Sequence, residues 1–227
     1  MNNALKRIKN KVVVSCQAMP NEPLYVENCM AAMIKSVVKG GAGGLRVAGI
    51  RDVKNAKKIT DIPVIGITKP DVIPKNFKEI VYITPTLDDV IKLIEAGADI
   101  IAFDCTQRPR PSNLEDMIKT IHINKRIAMA DISTFEEGLE AAKLGVDVIS
   151  TTLAGYTLES AESPEGPDFP LLEKLVKATD VPVILEGRIW DPKDVDKAFE
   201  LGAHSVVIGS AITRPQLITK RFVKRGK

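Results

Sequence analysis

The chain has 227 residues, with 32 Lys and Arg against 29 Asp and Glu for a net charge of +3, 44% hydrophobic residues and 4% aromatics. So balanced a charge argues against a general nucleic-acid binder, and so few aromatics argue against base-stacking platforms. The three cysteines, Cys16, Cys29 and Cys105, are odd in number and lack CxxC spacing, which disfavours a disulfide framework or a zinc site and favours a reducing compartment.

The N-terminal stretch "MNNALKRIKNKVVVSCQAM" is basic and then briefly apolar. Its "VVV" is far shorter than the roughly 7–15 apolar residues of a secretory signal. No run approaches the roughly 18 apolar residues of a spanning helix. The expectation is a cytoplasmic protein without membrane contact.

Eight short apolar runs follow: "VVVSCQ" (12–17), "GLRVAG" (44–49), "PVIGITK" (63–69), "IIAFDC" (100–105), "RIAMADI" (126–132), "DVISTT" (147–152), "VPVILEG" (181–187) and "HSVVIG" (204–209). Segments of helical period lie between them, such as "TFEEGLEAAKLG" (134–145) and "DPKDVDKAFELG" (191–202). In the first, Leu139, Ala142 and Leu144 fall near one face, with acids on the other. Continuous apolar strands alternating with amphipathic helices predict a parallel sheet covered by helices. A weak repeat sharpens this: "GGAGGLRV", "EAGADIIAF", "KLGVDVIS" and "ELGAHSVVI" each read as a helix end, a Gly (Gly41, Gly97, Gly145, Gly202) and a strand. Four double units make an α/β fold, a (β/α)8 TIM barrel, expected as one domain over residues 1–227. An open doubly wound sheet is the alternative, but no GxGxxG follows the first strand. Two segments break the pattern: 70–85, with a possible short extra strand at "VYIT", and 153–167, a Gly-, Pro-, Ser- and acid-rich loop long enough to be functional.

In such barrels the chemistry sits at the C-terminal strand ends. Those ends carry Ser15, Cys16 and Gln17, then Arg46, Lys69, Asp104, Asp131, Thr151 with Thr152, Glu186, and Gly209 with Ser210. Any single one could be a cap or a surface group; Asp104 and Asp131 could cap the following helices, and Arg46 could pair with a barrel carboxylate. Thr134 opens a T-x-x-E box and is the better cap for "TFEEG". So many polar ends together would carry large desolvation costs without a substrate. Lys69 among apolar walls and another cation would have a lowered pKa, and Glu186 could hold the complementary proton. A structural Lys–Glu salt bridge is the competing reading. "EGRI" after strand seven and "IGSAITRP" after strand eight match the phosphate region of these barrels, with Gly187, Arg188, Gly209 and Ser210 presenting backbone N–H groups. Arg214, just before Pro215 in the first turn of the last helix, is placed to reach an anionic substrate. Cys16 and Cys105 read as packed small residues, and His122 and His204 lie away from the mouth.

The stretches "VSCQAMPNEPL" (14–24), "ADIST" (130–134), "STTLAGYT" (150–157), "EGRI" (186–189) and "GSAITRPQLITKRF" (209–222) resemble the bacterial N-acetylmannosamine-6-phosphate 2-epimerases. The resemblance covers nearly the whole chain. It implies a (β/α)8 barrel that interconverts N-acetylmannosamine 6-phosphate and N-acetylglucosamine 6-phosphate in sialic acid breakdown, as a homodimer without metal or organic cofactor. It also implies Lys69 and Glu186 as acid–base residues, sugar or acetamido contacts for Gln17, Arg46, Asp131 and Arg214, and substrate contact for Thr152 and Tyr156. This chain departs from the family at Pro70, where Arg is usual, at Ser210, where Gly is usual, and at Tyr25, where His is common. A Schiff-base aldolase using Lys69 and a sugar-phosphate sensor without turnover are the other readings.

Overall fold

The eight apolar runs form the eight strands of the computed structural model, which describes residues 3–160 and 166–224. In chain order the elements are α1 (Ala4–Ile8), β1 (Val12–Cys16), α2 (Glu27–Lys39), β2 (Gly44–Ala48), α3 (Ile50–Ile59), β3 (Val64–Ile67), α4 (Leu87–Glu95), β4 (Ile100–Asp104) and α5 (Leu114–Ile123). They continue with β5 (Ile127–Asp131), α6 (Phe135–Lys143), β6 (Val148–Ser150), α7 (Phe169–Ala178), β7 (Val183–Glu186), α8 (Pro192–Glu200), β8 (Ser205–Ile208), α9 (Ser210–Thr213) and α10 (Pro215–Val223). The strands pair in parallel and in sequence order, and β1 closes on β8 through Val12↔Val206, Val13↔Val207 and Val14↔Ile208. Closure excludes the open doubly wound sheet.

Strand side chains alternate between two faces, and here both faces are apolar. Val13, Ile65, Ile67, Ile100, Ala102, Ile127, Met129, Val148, Ile184 and Val207 fill the barrel interior. Their neighbours in sequence, among them Val14, Leu45, Ile101, Phe103, Ile149 and Leu185, pack outward against helix residues such as Ile34, Leu93, Ile121 and Leu175. Each such buried side chain stabilises the fold by roughly 1.5–3 kcal/mol.

The four repeat glycines share one device. Gly41, Gly97, Gly145 and Gly202 all have positive φ, between 85° and 94°. After α4, Gly97 N–H donates to Ile94 O and Ala98 N–H to Leu93 O, and the same pair of bonds ends α2, α6 and α8. This Schellman arrangement uses the helix carbonyls and turns the chain into the next strand.

Three details differ from the sequence reading. Residues 81–84, "VYIT", are not a strand. Thr84 takes φ of 45°, and the segment bonds singly across the tops of β3 and β4, with Thr84 N–H to Thr68 O and Asp104 N–H to Ile83 O. One left-handed residue and isolated bonds prevent a ladder. In α6 the buried face is Glu137, Gly138 and Ala141, whereas Leu139, Ala142 and Leu144 are half-buried. Close packing selects this face: a Cβ on Gly138 would lie 2.4 Å from a Leu175 methyl. Glu137 tolerates burial because its carboxylate accepts from Ser133 N–H and Oγ–H, Thr134 N–H and Gln107 N–H. The third difference is α1, too short for periodicity to show. Its Ala4 and Ile8 join the interior cluster and stop the N-terminal end of the barrel. His204 ties it down through Leu5 O at 2.9 Å.

Of the expected loop 153–167, residues 161–165 lie outside the described residues. No described helix is long and apolar enough to cross a membrane.

Candidate active site

The same alternation that fills the interior decides what crowns it. Continuing each inward series by one or two positions gives Ser15 and Gln17, Arg46, Lys69, Asp104, Asp131, Ser150 and Thr152, Glu186 and Gly209. A cavity of about 430 Å³ opens at this end, within the usual range of small-ligand sites. Gln17, Lys69, Thr152, Tyr156, Glu186, Gly187, Arg188, Gly209, Ser210 and Arg214 all line it. Of the strand-end residues singled out by sequence, Cys16, Arg46, Asp104, Asp131 and Thr151 do not; Arg46 and Asp131 lie beneath.

Arg46 and Asp131 are almost fully buried, at 1% and 0% exposure. They form a bidentate pair, Nη1 to Oδ1 at 3.0 Å and Nη2 to Oδ2 at 2.5 Å. Arg46 Nη1 also lies 3.1 Å from Glu186 Oε2. Burial works against the guanidinium's charge, but Asp131 and then Glu186 outweigh it and hold its pKa above the ordinary value. The competing reading of Arg46 as partner to a barrel carboxylate is what the geometry shows, with a second carboxylate added.

Glu186 ends β7 at the cavity wall. Its Oε2 accepts from Thr152 Oγ at 3.0 Å, and the same hydroxyl lies 2.7 Å from Asp131 Oδ1. Thr151 points the other way and stitches the strands together, donating to Glu186 O and accepting from Glu186 N–H. Burial raises the Glu186 pKa; Arg46 opposes this, and the Asp131 charge adds to it. Glu186 is therefore a carboxyl that keeps its proton more readily than usual.

Lys69 follows β3. Its Nζ donates to Gln17 Oε1 at 2.8 Å, and Gln17 Nε2 donates to Ser15 Oγ at 2.7 Å. Its pKa falls to about 8, first through burial and then through the Arg46 charge, with Arg214 adding to the effect and Glu186 opposing it. Free amine at neutral pH is thus more abundant by roughly a few hundredfold than for an ordinary lysine. In an eight-stranded barrel β3 and β7 are four strands apart. The amine and the carboxyl therefore come from opposite walls to one cavity.

The β7 and β8 side is built from small residues and tight turns. Gly187 and Arg188 have φ of 119° and 55°. Gly209 precedes α9, and a Cβ there would sit 3.3 Å from Ser15 Cβ. The Arg188 side chain donates to Gly166 O at 3.0 Å and Ala154 O at 2.8 Å and lies over the Tyr156 ring. It braces the β6–α7 connection as well as lining the cavity. Arg214 stands at the N-terminal boundary of α10, ahead of Pro215, and pairs with Glu22 at 3.2 Å.

Asp104 does not cap α5; Asn113 does. It pairs instead with Arg108 at 2.5 Å, and Arg108 also donates to Phe77 O at 2.6 Å. Thr134 caps α6 in a full capping box with Glu137. Cys16 and Cys105 are buried, and burial pushes both thiols up to about 12. His122 sits on α5 beside Asp147, outside the cavity. Among the described residues no group of three His, Cys, Asp or Glu side chains is arranged as metal ligands are. Sequence reasoning missed Tyr82 and Trp190, which line the cavity from connections without periodicity. Tyr82 was hidden by the strand reading of "VYIT"; an aromatic in a chain with so few was the available signal.

A second cavity, about 250 Å³, lies on the other side of Lys69, which lines both. Its walls come from the β1–α2 connection (Ala18, Met19, Pro20, Tyr25), the end of β2 and the start of α3 (Ala48, Gly49, Ile50, Arg51, Asp52) and the β3–α4 connection (Pro70, Asp71).

Residues 30–227 match the family model described as "Putative N-acetylmannosamine-6-phosphate epimerase" (NanE). The chain belongs to this epimerase family. A Clostridioides difficile relative named as an N-acetylmannosamine-6-phosphate 2-epimerase, again with the qualifier "Putative", is 48% identical over 223 residues, covering 97% of each chain. One of the same name from Caldanaerobacter subterraneus is 49% identical, covering 96% of this chain and 92% of its own. The solved N-acetylmannosamine-6-phosphate 2-epimerase of Clostridium perfringens superposes with a TM-score of 0.92 at 47% identity, over 97% of this chain and 95% of that one. A Pyrococcus furiosus thiamine phosphate pyrophosphorylase, 18% identical with a TM-score of 0.62 over 97% of this chain and 98% of its own, shares the fold alone.

Proposed function

We propose that this chain interconverts N-acetylmannosamine 6-phosphate and N-acetylglucosamine 6-phosphate, in sialic acid catabolism, by moving the proton on C2. The observation that carries the reading is a lysine with its pKa lowered to about 8 and a carboxyl with its pKa raised, on opposite walls of one cavity. In the open-chain sugar the C1 aldehyde acidifies the hydrogen on C2. Lys69 Nζ takes that hydrogen from one face, leaving a planar enolate. Glu186 delivers its proton to the other face, and the configuration inverts. One proton divided between the two groups serves both directions: amine with carboxylic acid one way, ammonium with carboxylate on return. The step balances without metal or organic cofactor.

Gln17 orients Lys69. Thr152 sets Glu186, and Arg46 with Asp131 hold Glu186 from below, acting through it. The phosphate lies against Gly187, Arg188, Gly209 and Ser210, where the first N–H groups of α9 have no intrahelical partner, with Arg214 and Tyr156 closing over the sugar. Binding the remote phosphate orients C2 between the two groups. We further propose a cytoplasmic homodimer. α10 buries none of its residues and exposes Phe222 at 73% and Val223 at 68%; sedimentation velocity tests the dimer.

The deciding experiment is incubation with N-acetylmannosamine 6-phosphate in deuterated water, followed by proton NMR. The product gains deuterium at C2. Lys69→Ala and Glu186→Gln each lower that rate by about 10²–10⁴. Wild-type rates in both variants, or borohydride capture of substrate on Lys69, would overturn the assignment.

A further inference from the structure

We propose that Thr157, Ser133 and Glu137 are positioning residues: a chain of hydroxyls running from the start of α6 holds Tyr156 at the cavity mouth. This rests on the epimerase reading above, in which Tyr156 closes over the sugar. Tyr156 belongs to an exposed stretch, at 40% exposure itself and with Leu158 at 64%. Thr157, between them, is only 2% exposed. A polar residue buried between two exposed neighbours needs an inward partner. Thr157 Oγ–H donates to Ser133 Oγ at 3.0 Å, 24 residues away in the chain. Ser133 Oγ–H donates in turn to Glu137 Oε2 at 2.7 Å.

The anchor is fixed at one end and reaches both neighbours of Tyr156 at the other. Glu137 is 2% exposed, and its carboxylate accepts from the four donors described above, on the β4–α5 and β5–α6 turns. Ser160 Oγ accepts from Gly155 N–H at 2.9 Å and from Thr157 N–H at 3.2 Å, the residues on either side of Tyr156. The same oxygen lies 2.9 Å from Thr157 Oγ. Because the Thr157 proton is directed at Ser133, Ser160 supplies the proton of that bond. The hydroxyl protons then run one way, from Ser160 to Thr157 to Ser133 to the Glu137 carboxylate, an order in which each bond strengthens the next. A self-contained turn over 157–160 would account for the Ser160 contacts but not for the bond to Ser133. Tyr156 is thus held at the mouth before the sugar arrives, and binding does not have to order it.

A double-mutant cycle separates positioning from a purely structural role. Thr157→Val keeps the side-chain shape and removes the hydroxyl. It raises KM for N-acetylmannosamine 6-phosphate about tenfold with kcat within about threefold of wild type, since the lost contact serves ground state and transition state alike. Thr157→Ser, which retains the hydroxyl, keeps the wild-type KM. In a Tyr156→Ala background the same Thr157→Val change adds less than about twofold. A wild-type KM in Thr157→Val overturns the proposal, whatever the melting temperature. So does a rise that persists undiminished beside Tyr156→Ala. Trp190, the one tryptophan of the chain, lines the same cavity, so its fluorescence during titration with this sugar phosphate gives Kd for every variant without turnover. Failure of wild type to exchange the C2 hydrogen would remove the epimerase reading, and the Kd values of the four variants would still decide whether the hydroxyl chain positions Tyr156.

Discussion

Asp104 and Asp131 are register partners on β4 and β5, both point into the barrel, and both face an arginine. Their surroundings separate them. Arg46, beside Asp131, reaches a second carboxylate, Glu186, which lines the cavity. Arg108, beside Asp104, reaches a main-chain carbonyl, Phe77 O, in the long connection that roofs β3 and β4. The first pair sets a reacting group; the second anchors a loop. A charge at a strand end is therefore not a site residue by position alone. The segment lying over it decides whether substrate can feel it.

The largest effect that breaks this comparison is loss of either arginine. Arg46→Met and Arg108→Met each leave a buried carboxylate without its partner and destabilise by about 3–5 kcal/mol, read by denaturant unfolding. They part company in kinetics. Arg46→Met leaves Glu186 facing Asp131 uncompensated and lowers kcat about 10²-fold or more. Arg108→Met loosens the segment carrying Tyr82 and acts mainly on KM.

A smaller effect follows charge across the mouth. Lys69 has its pKa lowered to about 8, so acylation of its amine, followed by mass spectrometry, accelerates as pH rises through about 8 and flattens above. Arg214 lowers that pKa, so Arg214→Gln moves the midpoint to higher pH. An unmoved midpoint would leave burial and Arg46 as the whole cause.

The smallest effect sharpens the comparison at one hydroxyl on each side. Thr152 bonds Asp131 and Glu186, and Thr106 bonds Asp104 at 2.7 Å. Thr152→Val and Thr106→Val should each destabilise by about 1 kcal/mol. Only Thr152→Val should also slow C2 exchange, because Thr152 helps hold down the Glu186 pKa.

The barrel was legible because its strands are apolar on both faces and four of its helices, α2, α4, α6 and α8, end in glycines with positive φ. Alternation then carried inward-facing Lys69 and Glu186 to the mouth without any contact being known. Depth was less legible: Arg46 and Asp131 occupy the same kind of strand end yet sit below the floor, since residue type does not report height in a staggered barrel. Side-chain direction was lost where chain follows chain without a period, as with Tyr82 and with Arg188, whose donors turn toward loop carbonyls. The burial of Glu137 was hidden because its partners come from Gln107 and Ser133 on two other turns.

The packed interior has one more consequence. The apolar side chains that fill the barrel, with Ala4 and Ile8 of α1 beneath them, make it a blind vessel. Reactant and product must use one doorway and cannot pass through in single file, so each occludes the other. An excess of either sugar phosphate then throttles conversion from both sides, a traffic limit set by the filled core under the site.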